Sequence, residues 1–177
     1  MDLDAVVGRI PDHPTPGILF YDLMPLFANA AALDFAIDAI ADWARPRAVD
    51  VVIGAESRGF ILGGGIAHAL GAGFVAARKP GKLPGQTIGH DYALEYGTDR
   101  LEIQVGAIRP GQRVLIHDDL LATGGTSLAK VALVESQGGI VVGSAFVIEL
   151  NFLGGRQILA PHEVLSLVQY SHEDVPS

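Results

Sequence analysis

Apolar positions along the chain follow two spacings. Over 31–44 they recur with a helical period: Leu33, Ala36, Ile37, Ile40, Ala41 and Ala44 share a face, and Asp34, Asp38 and Asp42 form an acidic stripe opposite. Asn29 precedes this helix as a capping residue, Pro46 ends it, and the stripe reads as a solvated face. The run 49–53 (VDVVI) is short and barely alternates, which suits a strand buried on both faces. After GAESRG, a helix is predicted over about 60–70, a turn at Gly71 and Gly73, and a strand over 73–78. The order repeats: strand 113–117, a loop beginning DDLLATGG, helix 126–137 stopped by Gly138 and Gly139, strand 140–149, and a last strand over 164–170. Strand–helix alternation of this kind predicts an α/β domain, a mostly parallel twisted sheet flanked by helices.

Between the two units, 79–100 breaks the pattern. KPGKLPGQTIGH is rich in Gly and Pro, and YALEY, GTDR and LEIQ then read as an antiparallel hairpin carrying a mobile loop. No repeat, low-complexity tract or linker interrupts the chain, so 1–177 reads as one domain.

Composition changes the picture at three points. The 177 residues are 49% hydrophobic and 18% charged, too apolar for disorder. Nineteen of them, from Gly59 to Ala77, contain no Asp, Glu, Lys or Arg, long enough for a hydropathy window to read as a membrane span. Six glycines, His68 and the internal turn argue instead for a core helix followed by a buried strand. The absence of cysteine excludes disulfide scaffolds, zinc–thiolate sites and Cys nucleophiles. A net charge of −8 argues against a nucleic-acid binder, and an acidic start without an apolar core argues against a signal peptide. The expectation is a cytoplasmic protein with neither nucleic acid nor membrane as partner.

The segment 114–126, VLIHDDLLATGGT, concentrates the chemistry. An apolar strand brings Asp118 and Asp119 to its carboxyl end, where ligands of open α/β sheets sit. Gly124 and Gly125 allow backbone N–H groups to converge on a phosphate at a helix start, and Thr123, Thr126 and Ser127 add hydroxyls. The two carboxylates suit sugar hydroxyls or a hydrated magnesium ion, so the combination points to a sugar phosphate. A bare βα turn with capping aspartates is the plainer alternative. No Walker lysine follows these glycines, and Gly63–Gly65 falls inside a helix, so neither a P-loop nor a dinucleotide fingerprint is present.

These residues resemble the phosphoribosyl-pyrophosphate signature of the type I phosphoribosyltransferases, in the wording of the adenine-specific family. The likeness runs from about 10 to 170. IPDHPTPGILFYD resembles that family's base-binding hood (about 1–30), GAESRGF its pyrophosphate loop, and RKPGKLPGQTI with YALEYGTDRLEI its flexible catalytic loop (about 79–100). The resemblance implies the type I fold and the synthesis of AMP and pyrophosphate from adenine and 5-phosphoribosyl 1-pyrophosphate. It places Ala122, Thr123, Gly124, Gly125 and Thr126 on the 5′-phosphate and Asp118 and Asp119 on the ribose hydroxyls. Glu56, Ser57, Arg58, Arg78, Lys79 and Lys82 fall around the pyrophosphate, with a cis peptide often found between the first two. Glu95 handles the purine proton beside Tyr96. Leu19 and Tyr21 offer backbone groups to adenine, and Phe20 and Leu153 sandwich its ring.

Mg²⁺ is implied through the substrate, bridged by water to Asp118 and Asp119 with no direct protein ligand, as is a homodimer. Two positions depart from the family: Tyr21 stands where arginine is common, and His117 where an apolar residue is common. His117 and His68 read as structural histidines. The alternatives are transfer to hypoxanthine, guanine or xanthine, and a non-catalytic regulator that senses the same donor.

Overall fold

The structure, a computed structural model, describes residues 1–94 and 97–172. A short antiparallel pair, β1 (Gly8–Ile10) and β2 (Phe20–Asp22), forms the hood. Helices α1 (Met24–Ala28) and α2 (Ala30–Ala44) follow, and Asn29 caps α2 by accepting from the amides of Ala31 and Ala32. Pro46 falls in the 3₁₀ turn Arg45–Arg47 that closes the helix. The first βαβ unit is β3 (Val51–Ala55), α3 (Arg58–Leu70) and β4 (Gly73–Ala77). A hairpin, β5 (Thr87–Leu94) and β6 (Gly97–Gln104), leads to β7 (Arg113–Leu121), α4 (Gly125–Ser136) and β8 (Ile140–Leu150). A short α5 (Gly155–Ile158) precedes β9 (Val164–Tyr170).

The central sheet has the order β4-β3-β7-β8-β9 and every pairing in it is parallel. Successive strand residues point to opposite faces, and both faces are covered, which explains the unalternated apolar runs. Val52 and Leu115 pack beneath α2 and α3, together with Leu23 and Leu26. Val51, Ile53, Val114 and Ile116 pack on the other face with α4 and the hairpin residues Tyr92, Leu101 and Ile103.

The uncharged stretch from Gly59 divides between α3 and β4. Among the described residues no helix is long and apolar enough to cross a membrane. Three of its glycines are close-contact positions: Gly59, against Asp118, and Gly63 and Gly65. A Cβ at Gly63 would lie 2.6 Å from the Phe74 ring, and one at Gly65 would lie 2.5 Å from Ile37, so only glycine lets α3 approach β4 and α2 this closely.

Three sequence expectations are corrected. The loop placed at DDLLATGG begins later, because β7 continues through Leu121 and pairs Asp118 with Phe146 and Leu120 with Ile148. The antiparallel hairpin expected within 79–100 is present, but its ladder begins before Tyr92: Thr87 already pairs with Gln104, leaving 79–86 as the loop. Helix α3 starts at Arg58, not near Phe60, and the five-residue α1 was not anticipated.

Candidate active site

Three parallel strands end side by side, and their carboxyl ends build the site. Beyond β3 come Glu56 and Ser57, joined by a cis peptide, and then Arg58 in the first turn of α3. Beyond β4 come Arg78 and Lys79. Glu56 ties the two ends together, since its Oε2 accepts from Arg78 Nε at 3.0 Å and Nη2 at 2.8 Å, and its Oε1 from the Lys79 amide at 2.5 Å. Burial alone would raise the Glu56 carboxyl, but these donors outweigh it and hold the pKa below the usual glutamate value. Arg78 also donates to the Lys82 carbonyl at 3.0 Å, bracing the 79–86 loop. The Lys79 ammonium pairs with Asp99 on β6, which also accepts from the Tyr92 hydroxyl at 3.1 Å.

The end of β7 supplies the acids. Asp118 and Asp119 are 9% and 6% exposed and lie in the floor of a cavity of about 340 Å³. Arg58, Glu56, Lys79, Tyr92 and every residue from Asp118 to Ser127 line it. Each acid has its own cation. The Lys130 ammonium, with no exposed surface, donates to Asp118 Oδ2 at 2.7 Å and to the His117 carbonyl at 2.7 Å. Arg58 Nε lies 2.7 Å from Asp119 Oδ2, an ion contact without hydrogen-bond alignment. Burial and then the Asp118 charge push the Asp119 carboxyl up to about 6, against the opposite pull of Arg58 and Lys130. His117 is fully buried with Nδ1 2.9 Å from the Ala145 carbonyl; burial pushes it down to about 4, so it is neutral at pH 7.

The turn after β7 is shaped to receive an anion. Gly124 has φ +87°, a left-handed conformation that leads into α4 with no side chain capping the helix. The first-turn N–H groups of a helix have no partners within it, and here they open on the cavity with the helix dipole behind them. A Cβ at Gly124 would lie 2.9 Å from the Gly155 carbonyl, and one at Gly155 would lie 2.2 Å from the Ala122 carbonyl. The turn is therefore braced by the segment that carries Leu153. Arg156 anchors that segment: its Nε donates to Glu149 Oε1 at 2.9 Å and its Nη1 to the Val164 carbonyl at 2.7 Å.

The family model for the phosphoribosyl transferase domain matches residues 26–174. An adenine phosphoribosyltransferase of Solibacter usitatus is 53% identical over 169 residues, 96% of this chain and 98% of that protein. One of Desulfitobacterium hafniense is 50% identical over 170 residues, again 96% and 98%. The chain belongs to the adenine phosphoribosyltransferase family. The crystal structure of the member from Thermoanaerobacter pseudethanolicus superposes with TM-score 0.93 at 46% identity, covering 96% of this chain and 98% of that one. The Saccharomyces cerevisiae member, solved with adenine and an imino-altritol bisphosphate, superposes with TM-score 0.89 at 41% identity, covering 94% and 96%.

Within this phosphoribosyltransferase the sequence-derived residues separate into groups. Glu56, Arg58, Lys79, Asp118, Asp119 and Ala122 to Thr126 converge on one cavity. Ser57 and Arg78 adjoin it without lining it, and Lys82 is exposed. Leu19, Phe20, Tyr21 and Leu153 lie outside the lining. Phe20 is linked to the site through Arg58, whose guanidinium carbon is 5.4 Å from its ring centre, and His13 packs on the ring edge. The Tyr21 ring is turned inward and stacks on Tyr170 at 4.1 Å. Glu95 and Tyr96 lie outside the described residues. Sequence reasoning missed Lys130 and the Glu149–Arg156 pair. Lys130 was detectable, because Ser127, Lys130, Val131 and Val134 have the i, i+3, i+4, i+7 spacing of the helix's inward face.

Proposed function

We propose that this protein transfers the phosphoribosyl group of 5-phosphoribosyl 1-pyrophosphate to adenine, making AMP and pyrophosphate in purine salvage. The observation that carries the reading is the pair of buried carboxylates beside an uncapped, glycine-led helix start in one cavity. An anion-binding turn and two hydroxyl acceptors on one wall fit a sugar phosphate.

In the proposed geometry, Ala122 to Thr126 hold the 5′-phosphate, and Asp118 and Asp119 accept from the ribose hydroxyls. Arg58 and Lys79 line the cavity while paired with Asp119 and Asp99, so on donor binding each cation would exchange a carboxylate partner for the diphosphate. Glu56 and Arg78 support that loop, and the Ser57 amide and Lys82 complete its polar rim. N9 of adenine attacks C1′ as the bond to pyrophosphate breaks, with inversion. Positive charge develops on the sugar carbon and negative charge on the leaving group, so cations fixed near the leaving group favour the transition state over the bound substrate. Glu95, with Tyr96 beside it, takes the N9 proton. Backbone groups of Leu19 and Tyr21 read the base, and Phe20 and Leu153 flank it.

Mg²⁺ belongs to the same reading. Among the described residues no group of three His, Cys, Asp or Glu gathers to hold an ion. Asp118 and Asp119 face Lys130 and Arg58, which fits an ion carried by the diphosphate and reached by the acids through water. When bound it supplies charge neutralisation to the leaving group. A homodimer is part of the same proposal. A cytoplasmic setting suits highly charged substrates that do not cross membranes.

The test is AMP formation from adenine and the donor with magnesium present. The proposal requires stoichiometric AMP and pyrophosphate and loss of turnover on chelation. Donor binding without AMP formation would overturn it in favour of a sensor.

A further inference from the structure

Asp118 and Asp119 are adjacent buried carboxylates, and burial and mutual repulsion both favour protonating one of them. Each is offset by a cation from a different helix, and the two cations differ in freedom. Arg58, from α3, has about a third of its side chain exposed and lines the cavity, so an incoming anion can reach it. Lys130, from α4, has no exposed surface and cannot leave. Its ammonium donates at 2.7 Å to both Asp118 Oδ2 and the His117 carbonyl, so it is held by the strand and holds the carboxylate in turn. Among the described residues, Asp118 Oδ1 accepts from the Asp119 amide at 3.2 Å and abuts Gly59, which leaves it the oxygen not committed to another described side chain. His117, the remaining titratable neighbour, faces the Ala145 carbonyl. A buried ion pair adds little net stability over an apolar pair of the same shape, so packing alone does not account for a lysine here.

We infer that Lys130 is a positioning residue for the sugar donor, acting through Asp118: it holds that carboxylate turned so that Oδ1 meets a ribose hydroxyl while Arg58 is released to the diphosphate. The inference rests on the assignment of Asp118 to the ribose hydroxyls.

The experiment compares K130M, D118N and the double variant in the full-length protein, with calorimetric titration of ribose 5-phosphate and steady-state kinetics. K130M should weaken ribose 5-phosphate, and raise the donor KM, by about tenfold, the usual value of one charge-assisted hydrogen bond. The adenine KM should move by less than about twofold, and K130M added to D118N should change donor affinity by less than about twofold, because the pathway through Asp118 is already gone. A purely structural role would lower Tm without this split. K130Q, which keeps a donor to the His117 carbonyl but no charge, serves the same test should K130M not fold, with a raised donor KM expected. Wild-type donor affinity in K130M or K130Q, or losses that add in full with D118N, overturn the inference. Unchanged ribose 5-phosphate binding in D118N removes its premise, the assignment of Asp118.

Discussion

Gly59 and Gly64 lie in the same helix, α3, and substitution of each by alanine should give opposite results. At an unhindered helical site Gly→Ala stabilises by about 1 kcal/mol through helix propensity. Gly64 is such a site, with nothing within 4 Å of a new Cβ. G64A should raise Tm by about 2–4 °C in a domain of this size and leave the donor KM unchanged. At Gly59 the new Cβ would lie 2.6 Å from Asp118 Oδ1. That oxygen cannot easily withdraw, because Lys130 grips the same carboxylate and Asp119 N its other side. Overpacking of this kind costs about 1–3 kcal/mol, which offsets or exceeds the propensity gain, so Tm should stay level or fall by a few degrees. Displacing one aligned carboxylate from a sugar hydroxyl costs about 1.4 kcal/mol or more, about tenfold in donor KM. Scanning calorimetry and initial rates over a donor series measure both quantities. A G59A protein with raised Tm and wild-type donor KM would refute the reasoning, since Asp118 would then be neither confined nor needed.

Three further outcomes follow from the same geometry. With Asp119 pushed up to about 6, the donor KM should rise as pH falls below 6 while kcat changes less, and D119N should abolish that step; a donor KM flat from pH 7 to 5 would contradict it. His117 is neutral in the fold with its pKa near 4, against 6.5 unfolded, so its contribution is complete above pH 6.5 and lost as pH falls toward 4. Wild type should therefore lose about 2 kcal/mol from this group between pH 7 and 5 that H117V does not, measured by urea unfolding at both pH values. E95Q should lower kcat by ~10²-fold or more while ribose 5-phosphate binding persists; an unchanged kcat would remove Glu95 from proton transfer.

Much of the fold was legible because its strands are covered on both faces, so β3 and β7 read as continuous apolar runs and α2 as a striped helix. The end of β7 was not. Asp118 and Asp119 are polar and read as loop, yet their backbones continue the ladder to β8, and what buries them is tertiary: α3 and α4 closing over the strand end. The five-residue α1 is too short to show a period. At the site, the phosphate turn was legible because its chemistry is local, in consecutive residues. Lys130 left a trace in its spacing on the inward face of α4, but a lysine in an amphipathic helix is normally assigned to solvent, and only the carboxylate across from it makes burial tolerable. The Glu149–Arg156 pair joins the end of β8 to α5, and Arg156 also reaches the Val164 carbonyl of β9, so its setting depends on β8 and β9 being neighbours, a fact of topology.

The central claim is that this site joins adenine to the phosphoribosyl donor. The most direct measurement is kcat/KM for adenine, hypoxanthine, guanine and xanthine at saturating donor and magnesium. The account predicts AMP as the product and adenine preferred by orders of magnitude over each 6-oxopurine. A higher kcat/KM for any 6-oxopurine, or no transfer to adenine at all, would contradict it.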